Sequence, residues 1–413
     1  MLRVLKFGGT SVGTPTHILA VSRRILHYHE AGDAILVVVS AMGQTTDELL
    51  LLAHRVSRTP PRRELDMLLT AGERISMALL AMALGSHGCP AISFTGSQSG
   101  IVTSDTHSDA RIQTVRPHRI EEELARGRVV IVAGFQGVSL AKEVTTLGRG
   151  GSDTTAVALA IRFGADVCEI YTDVSGVLTA DPRIVPTARH LDSLTYDPMV
   201  AFAHFGGRVL FHRAVVLARK YGLALRVRSS IQEGDGTLIR DGRPRTTLTE
   251  ENEPMESNRI LGIALESPVY WVRVTVPAGE PCRLPFANAA KGSGAPAPRS
   301  LLFSHQGMPN EDRILHWVCP SEVAIEDWIA PGQWSPHARV QLERDAALVT
   351  VVGEAAAPEP ELASRIETIL EEAKIPLWGL QSGAHSLSAL TTASEGERAA
   401  RVLHDSLIGK REI

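Results

Sequence analysis

Short apolar runs alternate with longer amphipathic segments over residues 1–245. Six of the runs are almost continuously apolar, which is typical of strands buried on both faces of a sheet: Leu2–Phe7, Ala34–Ser40, Ala91–Thr95, Val129–Phe135, Cys168–Val174 and Leu225–Val227. Between them, apolar residues recur at helical spacing in Pro15–Glu30, Arg63–Leu84, Asp153–Phe163 and Tyr196–Lys220. This alternation predicts an α/β fold, with a largely parallel sheet sandwiched by helices and ligands bound at the carboxyl ends of its strands.

The hydrophobic pattern changes near residue 250. The stretch Arg243–Asn258 is polar and aperiodic, and all five Trp lie beyond it, so we expect a domain boundary there. The later pattern predicts a smaller α+β region. Its strands are Val269–Val276, Ala346–Gly353, Leu377–Gln381 and Leu387–Thr391, and its helices are Glu359–Ala373 and Glu395–Leu407.

Charge and composition narrow the classes of partner. The 413 residues carry 46 acidic and 42 basic side chains, a formal charge of −4, without a Lys/Arg block, so we expect small-molecule partners and neither nucleic acid nor membrane. The apolar runs noted above are far shorter than the ~20 residues that cross a bilayer, and no signal segment is recognisable, which predicts a cytoplasmic protein. The four Cys form no C-x-x-C pair, which predicts reduced thiols and no metal site built by the protein.

A glycine turn follows the first predicted strand, in the sequence KFGGTS at residues 6–11. Two glycines let the backbone approach an anion with its N–H groups, and Lys6 adds a positive charge beside them. The spacing fits neither a Walker A loop nor G-x-G-x-x-G. Taken alone, this motif is more often an ordinary tight turn than an anion site.

A second glycine cluster, GRGGSD at residues 148–153, precedes a predicted helix. We expect Ser152 or Asp153 to cap that helix and its free N–H groups to form a second anion site. The planar guanidinium of Arg149 suits a carboxylate or a phosphate. Other polar clusters end predicted elements, and together they indicate a phosphorylated ligand and a second charged small molecule: Ser40–Asp47, Gly72 with Glu73, Gly96–Gly100, Thr172 with Asp173, and Thr179–Arg183.

Five motifs, in this order, resemble those of aspartokinases in the amino-acid kinase family: KFGGTS at 6–11, SAMGQTTDELL at 40–50, LLTAGERIS at 68–76, VTTLGRGGSDTTA at 144–156 and YTDVSGVLTADPRIV at 171–185. The resemblance implies the amino-acid kinase fold over residues 1–245, a divergent ACT-like module over 259–345 and an ACT-like module over 346–413. It also implies transfer of the γ-phosphoryl of ATP to the side-chain carboxylate of L-aspartate, the first step of lysine, threonine and methionine biosynthesis.

The resemblance assigns roles to individual residues. Lys6 would stabilise the transferring phosphoryl, Arg149 would hold the α-carboxylate of aspartate, and Glu73 with Asp153 would read its ammonium group and position Lys6. The other aspartate-side residues are Thr45, Thr46, Gly150, Gly151 and Ser152. The nucleotide-side residues are Lys6, Phe7, Gly8, Gly9, Ser11, Ser40, Thr172, Asp173, Asp181, Arg183, Arg208 and Val209. ATP would be the co-substrate, and Mg²⁺ would arrive with the nucleotide.

The family pattern fails in two places. Relatives often carry Lys where this chain has Arg208, which keeps the charge but changes its geometry. Beyond Val276, Pro281 and Pro285 would interrupt the helix expected of the first ACT-like module. Two alternatives remain open: the module is eroded and feedback inhibition is weak or absent, which we favour, or it survives in altered form and senses another ligand.

Three hypotheses for function follow. The first is an active aspartate kinase that forms homo-oligomers through its ACT-like region. The second is an amino-acid kinase retuned to another amino acid, which would keep Lys6 and the nucleotide residues. The third is a non-catalytic amino-acid sensor, which predicts loss of residues such as Lys6, Arg149 and Asp153, all of which are present.

Overall fold

The computed structural model describes residues 1–207, 209–241, 259–281, 300–305, 312–321, 334–354 and 360–409. The chain divides into two compact units. The first contains Met1–Val177, His190–Met199 and Arg208–Arg245, and the second contains Leu178–Arg189, Val200–Gly207 and Thr246–Ile413. The predicted boundary at residues 243–258 lies outside the described residues, and the division into three domains stays a prediction.

The first unit is built on an eight-stranded sheet. Its strands are β1 (Leu2–Phe7), β2 (Ala34–Val39), β3 (Ala91–Phe94), β6 (Val129–Ala133), β9 (Val167–Thr172), β10 (Ser193–Leu194), β11 (Ala224–Ser229) and β12 (Thr237–Ile239). Their order is β10-β12-β11-β9-β1-β2-β6-β3, and all neighbours are parallel except β11 and β12. The central strands are buried over most of their length, as their continuous apolar runs require. The predicted parallel α/β fold is confirmed.

Four short strands form a second sheet in the first unit. They are β4 (Ile101–Thr103), β5 (Ile112–Val115), β7 (Gln136–Ser139) and β8 (Val144–Thr146), in the order β5-β4-β7-β8. Strands of three or four residues leave too short a periodic pattern to be recognised, so sequence analysis did not predict them.

Seven α-helices begin in the part of the first unit that the structure describes: α1 (Pro15–Glu30), α2 (Thr45–Val56), α3 (Arg62–Ser86), α4 (His118–Ala125), α5 (Gly151–Arg162), α6 (Tyr196–His204) and α7 (His212–Tyr221). The single helix predicted over Tyr196–Lys220 is wrong, because the segment forms two helices, α6 and α7, with a non-helical connection between them. Gly206 there has φ +98°, and a Cβ on it would lie 2.5 Å from the carbonyl oxygen of Leu265. A left-handed glycine in such close contact interrupts a helix whatever the apolar spacing.

Helix α3 is long and apolar enough to cross a membrane by length and composition alone. Core helices of globular proteins pass the same test. In this structure Met77, Leu80 and Leu84 of α3 pack in the hydrophobic core of the first unit, and its buried face also carries the carboxyl side chains of Asp66 and Glu73. The structure therefore uses α3 as a core helix.

The described part of the second unit contains a six-stranded antiparallel sheet and two helices that lie wholly within it. The strands are β13 (Ile260–Val276), β14 (Ser300–His305), β15 (Arg313–Pro320), β16 (Arg339–Gly353), β17 (Gly379–Ser382) and β18 (Ser386–Thr392), in the order β14-β15-β13-β16-β18-β17. The helices are α8 (Pro360–Glu372) and α9 (Ala393–Leu407). The predicted α+β region is confirmed. Strand β16 begins at Arg339, seven residues before the predicted Ala346. Its first half is mostly polar and largely exposed, so the apolar pattern predicts only the second half.

Candidate active site

The carboxyl ends of the central strands lie side by side. Phe7 at the end of β1 pairs with Val39 of β2 and with Tyr171 of β9, and Val39 pairs with Ala133 of β6. The loops that begin after these strands therefore leave the sheet at one edge. In an open parallel sheet this edge is where ligands bind.

A buried ion pair joins the two glycine motifs at this edge. Lys6 Nζ lies 2.6 Å from Asp153 Oδ1, and the other oxygen, Oδ2, accepts a hydrogen bond from the Phe211 backbone N–H at 3.2 Å. A Cβ at Gly8 would lie 3.5 Å from Lys6 Nζ, so the first glycine of the turn lies next to the ammonium group. The ion pair thus places a cation at the start of α5.

The turn after β1 is held by its own hydrogen bonds. The Gly8 N–H donates to the Tyr171 carbonyl at 3.1 Å, and the Ser11 hydroxyl donates to the same oxygen at 3.4 Å. A Cβ at Gly9 would lie 2.9 Å from the Ala41 carbonyl oxygen, so glycine is required there. Phe7 is fully buried and stacks on Tyr171, which leaves it a supporting position behind the turn.

The second motif starts α5 at Gly151, before both of the expected caps. Gly150 occupies the N-cap position with φ +65°, and no side chain caps the helix. The expected cap by Ser152 or Asp153 is wrong, because both lie inside the first turn and Asp153 pairs with Lys6 instead. Arg149 is exposed on the loop before the helix.

Glu73 places a second carboxyl group at the same edge. It is 3% exposed, and its Oε1 accepts the Ala41 backbone N–H at 3.1 Å. Within the described part of the chain, its other oxygen is buried without a hydrogen-bond partner. Burial raises the pKa of Glu73 to about 7. A buried acceptor without a partner lowers the stability of the fold unless a ligand donates a hydrogen bond to it. This oxygen is therefore suited to a bound ammonium group.

The other residues predicted to bind aspartate follow the same strands or begin the helices after them. Thr45 and Thr46 begin α2, which follows the loop containing Ser40 and Ala41. Ser152 is buried, and its Oγ lies 2.7 Å from the position of a Cβ on Gly134, the residue that follows β6. Ser40, Glu73 and Ser152 are therefore all held in or beside the loops of one sheet edge.

The predicted nucleotide-side residues fall in both units. Thr172 ends β9, and its hydroxyl donates to the exposed Asp173 carboxylate at 2.9 Å. Asp181 and Arg183 lie in the segment Leu178–Arg189 of the second unit, where they form an ion pair at 2.6 Å. Val209 is half-buried, and Arg208 lies outside the described residues. Among the described residues, no group of three His, Cys, Asp or Glu side chains could hold a metal ion.

Sequence reasoning missed the polar residues behind the GRGGSD loop. Asp66 lies on α3 seven residues before Glu73, two helical turns along the same face, and it is completely buried. A carboxyl residue on the predicted apolar face was the available signal. Arg213 of α7 gave no signal, because its contacts are made through the tertiary fold.

Comparisons with known proteins define the class and then the family. Residues 1–229 match the model of the amino acid kinase family. An aspartokinase of Mycolicibacterium smegmatis is 53% identical over 264 residues, 64% of this chain and 61% of that protein. One of Corynebacterium glutamicum is 39% identical over 98% of this chain and 95% of its own length. Escherichia coli aspartokinase III in complex with aspartate and ADP is 21% identical and superposes with a TM-score of 0.79 over 99% of this chain and 100% of its own, which shows the shared fold.

The M. smegmatis alignment thus covers less than two thirds of that relative, whereas the C. glutamicum alignment covers nearly all of both chains. The chain therefore belongs to the amino acid kinase family and, within it, to the aspartokinases. This confirms the family that the five sequence motifs predicted.

Proposed function

We propose that this chain is an active aspartate kinase that transfers the γ-phosphoryl of ATP to the side-chain carboxylate of L-aspartate, giving 4-phospho-L-aspartate and ADP. The observation that carries the proposal is the buried Lys6–Asp153 pair at the sheet edge that also holds Glu73. A relative that is 39% identical over 98% of this chain is named as an aspartokinase, which supports the same reaction.

The chemistry calls for positive charge more than for a base. An aspartate side chain has an ordinary pKa of about 3.9 and is already ionised at neutral pH, so its attack on phosphorus needs no proton abstraction. The barrier lies in bringing one anion to another and in stabilising the spreading negative charge. The Lys6 ammonium, held by Asp153 and flanked by the Gly8 backbone, is the group that we assign to this task.

The aspartate would be held by both charged groups on its α-carbon, the carboxylate and the ammonium group. Arg149 would bind the α-carboxylate through its fork of N–H groups, and the partnerless oxygen of Glu73 would accept the ammonium group. Two fixed contacts orient the side-chain carboxylate towards the phosphoryl, which is the alignment that an in-line transfer requires. Thr45, Thr46 and Ser152, with Gly150 and Gly151, would line this side.

The nucleotide would lie on the other side of Lys6. We assign its phosphates to Lys6, Gly9, Ser11 and Ser40, with Mg²⁺ as part of the MgATP substrate. Because the Gly8 N–H already donates to Tyr171, a phosphate contact from Gly8 would require that bond to open. The rest of the nucleotide would contact Thr172, Asp173, Asp181, Arg183, Arg208 and Val209.

We also propose a cytoplasmic homo-oligomer that forms through the ACT-like region. The C. glutamicum relative matches this chain over 95% of its own length, which supports a C-terminal region of comparable length in the two proteins. Residues 282–299, where the sequence departs from the family pattern, lie outside the described residues.

An acyl phosphate reacts with hydroxylamine, so the product can be trapped as a hydroxamate. We expect hydroxamate formation that depends on ATP, Mg²⁺ and L-aspartate and is much weaker with L-glutamate, L-asparagine or N-acetyl-L-glutamate. Higher kcat/KM for any of these amino acids than for L-aspartate would overturn the proposed substrate. The absence of turnover with L-aspartate and with all of these amino acids would overturn the proposed activity.

A further inference from the structure

Asp66 connects α3 to the segment that leads into the GRGGSD loop. It is 0% exposed, and its two carboxyl oxygens accept hydrogen bonds from four donor groups in three residues. The Thr146 hydroxyl donates to Oδ1 at 2.6 Å, His107 Nδ1 lies 2.7 Å from Oδ2, and the Ser108 N–H lies 3.1 Å from both oxygens, with its hydroxyl 3.4 Å from Oδ1. Thr146 ends β8, two residues before Gly148.

Arg213 holds the same segment from α7. One guanidinium nitrogen, Nη1, donates to the Leu147 carbonyl at 2.6 Å and to Asp109 Oδ1 at 2.9 Å, and the other, Nη2, donates to the Ala110 carbonyl at 3.0 Å. Its side chain is 17% exposed. A guanidinium that serves three acceptors in two separate segments fixes their relative position better than a single ion pair would.

The backbone of the loop between these two anchors is in close contact with its surroundings at two glycines. Gly148 has φ +74°, and a Cβ there would lie 3.1 Å from the Ser108 carbonyl oxygen. A Cβ at Gly150 would lie 2.0 Å from Cγ of Phe211, two residues before Arg213. The backbone on both sides of Arg149 therefore rests against residues that Asp66 or Arg213 places.

Asp66 also lies on the helix that carries Glu73. Its contact with Thr146 ties the helix that carries Glu73 to the loop that carries Arg149. The elements that carry the two side chains assigned to the ammonium group and α-carboxylate of aspartate are thus linked through the buried Asp66.

We propose that Asp66 and Arg213 are positioning residues for the aspartate site, which hold the Arg149 loop at a fixed distance from Glu73 and so set the affinity for the amino-acid substrate. The proposal rests on the proposed function and adds two residues that touch neither substrate. Displacement of a substrate-binding group by about 1 Å costs up to about a hundredfold in rate or affinity. The hydrogen bonds of Asp66 and Arg213 given above reach no residue of the turn after β1, so we expect ATP binding to stay unchanged.

The test compares steady-state kinetics of Arg213→Ala, Arg213→Lys and Asp66→Asn in the full chain. We expect Arg213→Ala to raise KM for aspartate by about ten- to a hundredfold, with KM for ATP changed by less than about twofold. Arg213→Lys keeps the positive charge but not the forked guanidinium group, so we expect its KM for aspartate to lie between those of wild type and Arg213→Ala. Low-millimolar guanidinium chloride, far below denaturing concentrations, should lower KM for aspartate in Arg213→Ala and leave Arg213→Lys unchanged.

Two matched controls separate positioning from general destabilisation. Arg219→Ala removes an arginine of the same helix that pairs with Asp197 at 2.7 Å, and Glu64→Gln removes an exposed carboxylate of α3. Both should leave KM for aspartate unchanged. Amide hydrogen exchange gives a readout that does not need activity: Arg213→Ala should speed exchange over residues 147–152, and Arg219→Ala should not.

The outcomes distinguish the two proposals. A wild-type protein without aspartate-dependent turnover contradicts the proposed function, and the exchange experiment then still tests the bracing of the loop. Equal rises in KM for aspartate and for ATP, or faster exchange with unchanged KM for aspartate, would overturn the positioning role. If Arg213→Ala does not fold, Arg213→Lys and Asp66→Asn carry the same test.

Discussion

Lys6 Nζ lies 2.6 Å from Asp153 Oδ1, and the two side chains are only 11% and 10% exposed. The contact joins the end of β1 to the first turn of α5, so the two glycine motifs become one site. Because water has little access, a phosphate placed beside Lys6 would interact with its charge more strongly than in solution. Asp153, also held by the Phe211 N–H, keeps the ammonium from turning away.

Arg149 is expected to act in aspartate binding more than in the transfer step. Arg149→Ala should raise KM for aspartate about a hundredfold with a smaller change in kcat, because it removes a contact made in both ground and transition states. Steady-state titration of aspartate at saturating ATP measures both constants. Arg162→Ala, at the far end of α5, is the control and should behave as wild type. A rise in KM for ATP with unchanged KM for aspartate would contradict the assignment.

Glu73 predicts an acidic limb in the pH profile. Its pKa is raised to about 7 by burial, so below that pH the free protein holds it protonated and unable to pair with the ammonium group of aspartate. We expect kcat/KM for aspartate to fall as pH decreases through about 7, approaching about tenfold per pH unit. Glu73→Gln should lower kcat/KM and abolish this limb. The same limb in Glu73→Gln would show that another group is responsible.

Substitution of Gly150 and of Gly164 by alanine distinguishes the cost of a steric clash from the cost of a left-handed backbone. Gly150→Ala places a methyl group 2.0 Å from Phe211 at φ +65°, whereas Gly164→Ala meets nothing within 4 Å at φ +63°. The control therefore carries the left-handed strain alone, roughly 1 kcal/mol, and Gly150→Ala should lose at least about 2 kcal/mol more. Chemical denaturation of both variants measures the difference. Equal free energies of unfolding would show that Phe211 moves aside freely.

Feedback inhibition is expected to be weak. Proline residues and the absence of a helical pattern beyond Val276 argue that the first ACT-like module has lost its effector site. Millimolar lysine plus threonine should change kcat at saturating ATP and aspartate by less than about twofold. Tenfold inhibition would instead favour a module that survives in altered form.

The sequence predicts the central sheet well because its strands are buried on both faces. Helix α1 has the predicted bounds, since Thr14 accepts the His17 N–H and Pro15 starts the first turn, both local signals. The single helix over Tyr196–Lys220 failed because the break at Gly206 depends on contact with Leu265, far along the chain. A site at the sheet edge follows from strand order, but the Lys6–Asp153 pair and the Asp66–Arg213 network arise only when distant segments meet.

The most direct test of the account is the rate of hydroxamate formation from L-aspartate and MgATP by wild type and by Lys6→Ala, with Lys220→Ala as the matched surface control. We predict that Lys6→Ala lowers kcat by about a hundred- to a thousandfold while KM for aspartate changes only a fewfold, and that Lys220→Ala equals wild type. Turnover of L-aspartate by Lys6→Ala at the wild-type rate would contradict it.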